Sequence, residues 1–434
     1  MINFKLVCEI PEGVHARPCA LLANALVGYK SSVTITSKGK TADGDNALQV
    51  LALGINKGDE MDITIDGEDE EATAQRVKHY LEYRKYENKV SESLKTAFYG
   101  TKDYDKTFFN ELAANPEDEQ YNVKIDYFKV RLTSETVNLS KGYDAVCIFV
   151  NDECGTSIVE ELHNNGIKLI LLRCAGFNNV DLKKCEELGI TVLRVPAYSP
   201  YAVAEFAMAI LQDANRKLSK AYNKVRENNF GLSGLLGLDL HNKVAGIIGT
   251  GKIGQCMARI CQGYGMSVIA WDAYPNKKLE EEGLLKYVEK DELFKKADLI
   301  SLHAPLVMGE SGTYHLINKE SIALMKDSAM LVNTARGPLI DAEALIEALK
   351  KGKFQAVALD VYEGEDSNVY TDLSNNVVVN DITGRLLMFP NVVITSHQAF
   401  FAREALQAIA VTTLENARNY QEGKPFGPAL VKAN

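Results

Sequence analysis

The sequence predicts an α/β protein with two lobes, each a doubly wound parallel sheet, preceded by a small α+β sandwich. Three observations predict it. From Lys95 onward strand-like runs alternate with helix-like ones, the pattern of parallel strands joined by helical crossovers. Within that alternation, Val244 to Asp272 reads as strand, glycine turn, helix, second strand and terminal acid. The first 84 residues carry an alternation of their own, closed off by a highly charged stretch, and 434 residues are long for a single core.

Composition narrows the function classes. The net charge is −10 without a long basic run, so nucleic-acid backbone binding is disfavoured. No apolar run reaches the length of a membrane span, and MINFKLVCEI lacks a basic region followed by a secretory apolar core, so a cytoplasmic protein is expected. The eight cysteines, at 8, 19, 147, 154, 174, 185, 256 and 261, form no C-x-x-C and meet no paired histidines. Neither a metal site nor a disulfide framework is expected; small buried thiols in a reducing compartment are.

Residues 1–84 read in order as strand FKLVCEI, an apolar helix to Tyr29, strand SVTITS, helix ALQVLALGI behind Asn46, strand MDITIDG and a charged helix from Glu68. The informative stretch is Gly13-Val14-His15-Ala16-Arg17-Pro18. His15 stands where a loop meets a helix start, with Pro18 suited to the first turn. A phosphate on its imidazole would meet free N–H groups, the positive end of the helix dipole and the Arg17 guanidinium. On spacing alone an exposed loop histidine is the favoured reading.

With GVHARP, Asp45-Asn46-Ala47-Leu48-Gln49-Val50-Leu51-Ala52-Leu53-Gly54 and Lys57-Gly58-Asp59 in view, the segment resembles HPr, the histidine-containing phosphocarrier family of the bacterial sugar phosphotransferase system. That resemblance implies phosphorylation at His15 with Arg17 as the phosphate-binding neighbour. It also implies enzyme I of that system, or related phosphocarriers, as partners. Where many members carry a regulatory serine this chain has Asn46, which can cap the following helix but cannot be phosphorylated.

The charged run 85–94 is expected as a linker. Residues 95–199 with 400–434 are expected to form one lobe, and 200–399, with a long connecting helix, the other. The last helix, from Arg403, should return to the lobe that begins near Lys95.

In the second lobe Gly249, Gly251 and Gly254 suit a dinucleotide cradle: a tight turn, a close approach of backbone to pyrophosphate, and a helix packed on its strand. Lys252 and Ile253 open the helix whose N–H groups would face the phosphates. Asp272 ends the second strand, where a carboxylate accepts from ribose hydroxyls and repels a 2′-phosphate; NAD is therefore the expected cofactor.

Later strands end in polar residues, and open parallel sheets bind ligands at that edge. Three of these stand out: Arg336 after AMLVNTA, Glu365 beyond AVALDVY, and His397 after NVVITS. A guanidinium fork can hold the carboxylate and carbonyl of a 2-oxo acid. Histidine can supply the proton a growing alkoxide needs, and a carboxylate on its other nitrogen orients the ring and keeps it protonated. Taken singly, each also fits a surface charge or a helix-start residue.

From about 95 to 434 the chain resembles the D-2-hydroxyacid dehydrogenases, and within them the fermentative lactate branch. Arg173-Cys174-Ala175-Gly176-Phe177-Asn178-Asn179-Val180-Asp181, VPAYSP, GTGKIG, NTARGPLID, DVYEGE and SHQAF carry the likeness. It implies a Rossmann-type NAD lobe, a flavodoxin-like substrate lobe, a homodimer, and catalysis by Arg336, Glu365 and His397. Ala304, Pro305, Thr334, Ala335 and Asp360 would lie along the nicotinamide half of NAD. Ala175 and Gly176 would offer N–H groups to the substrate carboxylate, and Tyr198 and Phe400 would narrow the pocket to the methyl of pyruvate. A hydroxypyruvate or other 2-oxo acid reductase, or a phosphotransfer-regulated NADH sensor, are the competing readings. Phe206 in AEFA, where many relatives have histidine, and Gly384 in DITGRL depart from the pattern.

Overall fold

The first 81 residues give short amphipathic strands and helices because their apolar positions change period from two to nearly four. In the strand Glu60–Asp66, Met61, Ile63 and Ile65 are buried while the residues between them face outward. The computed structural model describes all residues except 9, 11–12, 27–28, 82–92, 115–120, 310–311, 366–367, 378 and 434, and omits the side chains of some helical residues, Arg17 among them. Most of the expected linker, 85–94, lies outside the described residues. The chain forms two units: Met1–Ser93 with Asn115–Asn122, and Leu94–Ala114 with Val123–Asn434.

The first unit is an antiparallel sheet in the order Ile2–Val7, Glu60–Asp66, Ser32–Ser37, Lys40–Asp43. Lys38 and Gly39, both at positive φ (53° and 73°), make the two-residue hairpin turn whose twist matches its strands. Helices Ala16–Ala25, Ala47–Ala52 and Glu70–Leu81 contribute Cys19, Leu22, Val50, Val77 and Leu81 to the core. Asn46 does cap its helix, accepting from Gln49 N at 3.2 Å. The charged helix starts at Glu70 rather than Glu68. Asp69, just before it, accepts from Lys30 N, Ser31 N and the Ser31 hydroxyl, and these bonds draw its carboxyl down to about 2.

His15 is exposed at the entry to the first helix, its Nδ1 3.1 Å from Gly13 O. Gly13 is left-handed (φ 74°), and a Cβ there would run into Ile55 O.

The second unit holds two wholly parallel sheets. One has the order Val123–Tyr127, Leu94–Phe98, Ala145–Ile148, Leu169–Leu172, Thr191–Arg194, the flavodoxin-like 2-1-3-4-5 arrangement. The other runs Lys286–Tyr287, Ser267–Trp271, Val244–Ile248, Leu299–Leu302, Ala329–Asn333, Phe354–Leu359, Val392–Ile394, doubly wound about the Val244 strand. Central strands such as Ala145–Ile148 and Ala329–Asn333 are buried at every position, which is why they read as unbroken apolar runs.

The connecting helix Pro200–Arg216, capped by Ser199 and started by Pro200, packs on the helix Lys252–Gly263 and the strand Phe354–Leu359, and so belongs to the seven-stranded lobe. The final helix Arg403–Gln421 lies against Asp103–Ala114 and the five-stranded sheet. Phe206 packs into the core of the seven-stranded lobe. Gly384 sits in the helix Asp381–Leu387, where a Cβ would meet nothing. All eight cysteines are free and buried, and burial pushes every thiol up from its ordinary value. No helix among the described residues is long and apolar enough to cross a membrane.

Candidate active site

The strand Val244–Ile248 ends at Gly249, whose φ of 90° turns the chain sharply. A Cβ on Gly249 would lie 2.6 Å from Ala304 N, and one on Gly254 would collide with Gly249 O. Gly251, which starts the helix Lys252–Gly263, faces open space instead. Two glycines thus let backbone meet backbone, and the third leaves room for a ligand at the first-turn N–H groups of Lys252 and Ile253.

Asp272 is tied to this turn. One of its oxygens accepts from Thr250 N (2.6 Å) and the Thr250 hydroxyl (2.9 Å), and the other accepts from Tyr274 N (2.8 Å). Opposite the cradle, Thr334 is buried, and its hydroxyl has no hydrogen-bond partner among the described residues. An orphaned buried hydroxyl beside Ala335, with a cradle that a side chain would fill, fits a dinucleotide laid along this edge. Ala304 is buried against the glycine turn, and Pro305 O accepts from Thr313.

Neighbouring strands bring Arg336 and His397 to the lining of one cavity, with Glu365 behind His397. Arg336 leaves the strand Ala329–Asn333 through a turn fixed by Asn333, which accepts from Ala335 N (3.0 Å) and donates to Arg336 O (2.9 Å). The Arg336 guanidinium comes so near Gly176 that a Cβ there would sit 3.2 Å from Nη2. Nδ1 of His397 is 3.0 Å from Glu365 Oε1, and the other Glu365 oxygen accepts from Tyr362 N (3.2 Å). Glu365 is only 9% exposed, so its carboxylate is spent on orienting the imidazole rather than on solvent.

Asp360 follows the strand Phe354–Leu359. It is fully buried, and its carboxylate accepts from the Thr395 hydroxyl (2.6 Å), Gln398 N (2.8 Å) and Ala399 N (2.8 Å). It holds the segment that carries the histidine.

The cavity has a backbone side, Cys174, Ala175 and Gly176, facing Arg336 and His397. Its aromatic wall is Tyr198, Phe400, Phe149 and Tyr370, with ring centroids 6.4 Å apart for Tyr198–Phe400, 5.8 Å for Phe149–Phe400 and 5.7 Å for Phe149–Tyr370. Sequence reasoning found Tyr198 and Phe400 but missed the other two. Phe149 follows the strand Ala145–Ile148 and so stands at a strand end as Arg336 does, but the rule picks out polar residues and passes over an aromatic one.

The same rule reaches Arg173, after Leu169–Leu172. Its guanidinium is buried over the Phe98 and Phe149 rings (4.4 and 5.1 Å), donates to Gly100 O (3.3 Å) and lies 3.6 Å from Asp105. Asp152 beside it accepts from Phe149 N (2.7 Å) and Leu132 N (2.8 Å). Burial raises both carboxyls above the ordinary range, and the Arg173 charge opposes that rise.

A lobe built to receive a dinucleotide, with a guanidinium and a carboxylate-oriented imidazole converging across its cleft, defines a class: nicotinamide-dependent dehydrogenases acting between 2-oxo and 2-hydroxy acids. Residues 208–399 match the family model described as D-isomer specific 2-hydroxyacid dehydrogenase, NAD binding domain. The chain belongs to the D-2-hydroxyacid dehydrogenase family and is an NAD-dependent enzyme of it. Residues 2–83 match the PTS HPr component phosphorylation site model, so an HPr-like domain precedes the enzyme.

D-lactate dehydrogenase of Escherichia coli K12 is 45% identical over 338 residues, 78% of this chain and 100% of that protein. The apo-structure of D-lactate dehydrogenase from Escherichia coli superposes with a TM-score of 0.69 at 44% identity, covering 78% of this chain and 100% of that one. The pyruvate reductase of Chlamydomonas reinhardtii does so with a TM-score of 0.72 at 41% identity, over 77% and 98%.

Proposed function

We propose that the enzyme reduces pyruvate to D-lactate with NADH. The observation that carries this is the closed aromatic wall beside Arg336 and the His397–Glu365 pair. Arg336 would clamp the carboxylate and carbonyl of the 2-oxo acid, with the Ala175 and Gly176 N–H groups completing the carboxylate site. His397, its Nδ1–H donating to Glu365, would deliver a proton from Nε2 to the carbonyl oxygen, and would take it back in the reverse direction. NADH, when bound, supplies the hydride. The residues that would hold it are Gly249, Gly251, Lys252, Ile253 and Gly254 at the pyrophosphate and Asp272 at the ribose. Ala304, Pro305, Thr334, Ala335 and Asp360 would lie toward the nicotinamide.

Tyr198, Phe400, Phe149 and Tyr370 would narrow the space for the substrate's substituent toward a methyl group. Each added methylene in such a pocket is worth about 1–3 kcal/mol of discrimination. NADH oxidation with pyruvate, hydroxypyruvate, oxaloacetate and 2-oxobutyrate, with the lactate enantiomer assayed, tests the assignment. Pyruvate should lead 2-oxobutyrate by roughly tenfold or more in kcat/KM and give D-lactate only. A preference for hydroxypyruvate would keep the three catalytic roles and overturn the pocket assignment.

The HPr-like domain supports a second activity, phosphate acceptance at His15, because that imidazole is exposed at a helix entry within the matched segment. Enzyme I of the phosphotransferase system is the partner this reading implies. Labelled phosphoenolpyruvate with enzyme I should label the chain but not His15→Ala; turnover followed alongside would show whether phosphorylation tunes the dehydrogenase, and failure to label would end this reading.

A homodimer is supported by the helix Leu218–Arg226, which buries no residue and exposes Leu218, Tyr222 and Val225, followed by exposed Phe230, Leu232 and Leu236. Sedimentation of the same preparation as a monomer would exclude it.

A further inference from the structure

His397 has φ 51°, a left-handed backbone that a side-chain-bearing residue rarely adopts. Such a conformation lasts only where the surroundings over-determine it. On the amide side they do. His397 N donates to Asp360 O (2.9 Å), and the Asp360 carboxylate holds the Thr395 hydroxyl and the next two amides, Gln398 N and Ala399 N.

On the carbonyl side the anchor is Tyr370. Its hydroxyl donates to His397 O at 2.8 Å, from 27 residues away in sequence. Tyr370 is itself left-handed (φ 59°), and its ring stands 5.7 Å from Phe149 and 6.3 Å from the His397 ring, centroid to centroid. Burial lifts its phenol far above the usual tyrosine range, so it remains a donor at any working pH.

The peptide that Tyr370 holds is the one from which the imidazole projects, toward Glu365 through Nδ1 and toward the cavity through its other edge. A small rotation of that peptide moves the proton-bearing nitrogen relative to a substrate fixed by Arg336. We infer that Tyr370 is a positioning residue for the reaction: its hydroxyl fixes the His397 carbonyl and thereby the aim of the imidazole, while its ring separately closes the cavity wall. This rests on the proposed 2-oxo acid reduction.

Tyr370→Phe separates the two roles, because it keeps the ring and removes the donor. A misplacement of about 1 Å in a reacting group can lower turnover by about 10²-fold, so a partial loosening should lower kcat roughly 10-fold. KM for pyruvate should stay within about twofold, since the wall is intact. In the cofactor-free protein, the low-field proton of His397 Nδ1, assigned by its loss in His397→Gln, should exchange with water at least about threefold faster in Tyr370→Phe, because the Nδ1–Glu365 bond opens more often. Tyr370→Leu should add a rise in KM. Unchanged kcat and unchanged exchange in Tyr370→Phe would overturn the inference. So would a raised KM with full kcat, which would make Tyr370 wall alone. If the parent enzyme reduces none of the 2-oxo acids, the proposed reaction fails, and the exchange comparison still decides the role of Tyr370.

Discussion

Replacing His397 with glutamine is expected to lower kcat for 2-oxo acid reduction by about 10²- to 10⁴-fold, the usual worth of a positioned general acid. Glutamine can still place an amide near the carbonyl oxygen, and it can still meet Glu365, but it has no proton to give. Glu365 is nearly buried and keeps its bond from Tyr362 N, so the turn 362–365 should survive the change. NADH affinity should therefore change little, because no glycine of the cradle touches this segment. Steady-state kinetics with a fluorescence titration of NADH checks both halves. A loss below tenfold, or an equal loss in cofactor affinity, would remove His397 from the proton-transfer role. Glu365→Gln should cost less, since it weakens the orientation of the imidazole and leaves the proton in place.

The meeting of the three proposed catalytic residues was legible because a parallel sheet enforces a simple rule: strand ends converge on one edge. Arg336, Glu365 and His397 are far apart in sequence, yet they follow strands that lie side by side in the order Ala329–Asn333, Phe354–Leu359, Val392–Ile394. The glycine cradle was legible for a related reason, since backbone contacts exclude side chains whatever surrounds them. Asn46 was legible as a cap because capping is local.

Tyr370 was not legible. It lies in a stretch with no apolar period, and its partner is a main-chain carbonyl, a group that every residue presents. Nor does composition record that His397 adopts a left-handed backbone. The contacts of Asp360 were hidden for a similar reason: a carboxylate at a strand end can meet any neighbouring segment, and only the packed structure shows that three donors from 395–399 reach it. Arg173 could be seen as a polar strand end, but its role depends on Asp105 from one helix and Asp152 from one loop meeting behind the aromatic wall.

That buried charge cluster should dominate the stability of the substrate lobe. Arg173→Met keeps most of the volume over Phe98 and Phe149 but removes the buried cation shared by two buried carboxyls, leaving Lys102 to act on Asp105 and Arg131 on Asp152 more weakly; breaking a buried pair in this way typically costs about 3–5 kcal/mol. The sign of the pH dependence follows from the carboxyls left behind. Burial already raises Asp105 and Asp152 above the ordinary range while Arg173 holds them back, so without Arg173 both rise further. A carboxyl raised in the folded state binds its proton more tightly there than in the unfolded chain. Its penalty is absent below the unfolded-state pKa, near ~4, and grows as pH climbs from there toward the folded-state value. The gap in melting temperature between Arg173→Met and the parent should accordingly be widest near neutral pH and narrow as pH falls toward about 5. A gap that stays constant with pH would mean that the guanidinium acts through its packing over the two rings, and that Asp105 and Asp152 are neutral in the native protein with or without it.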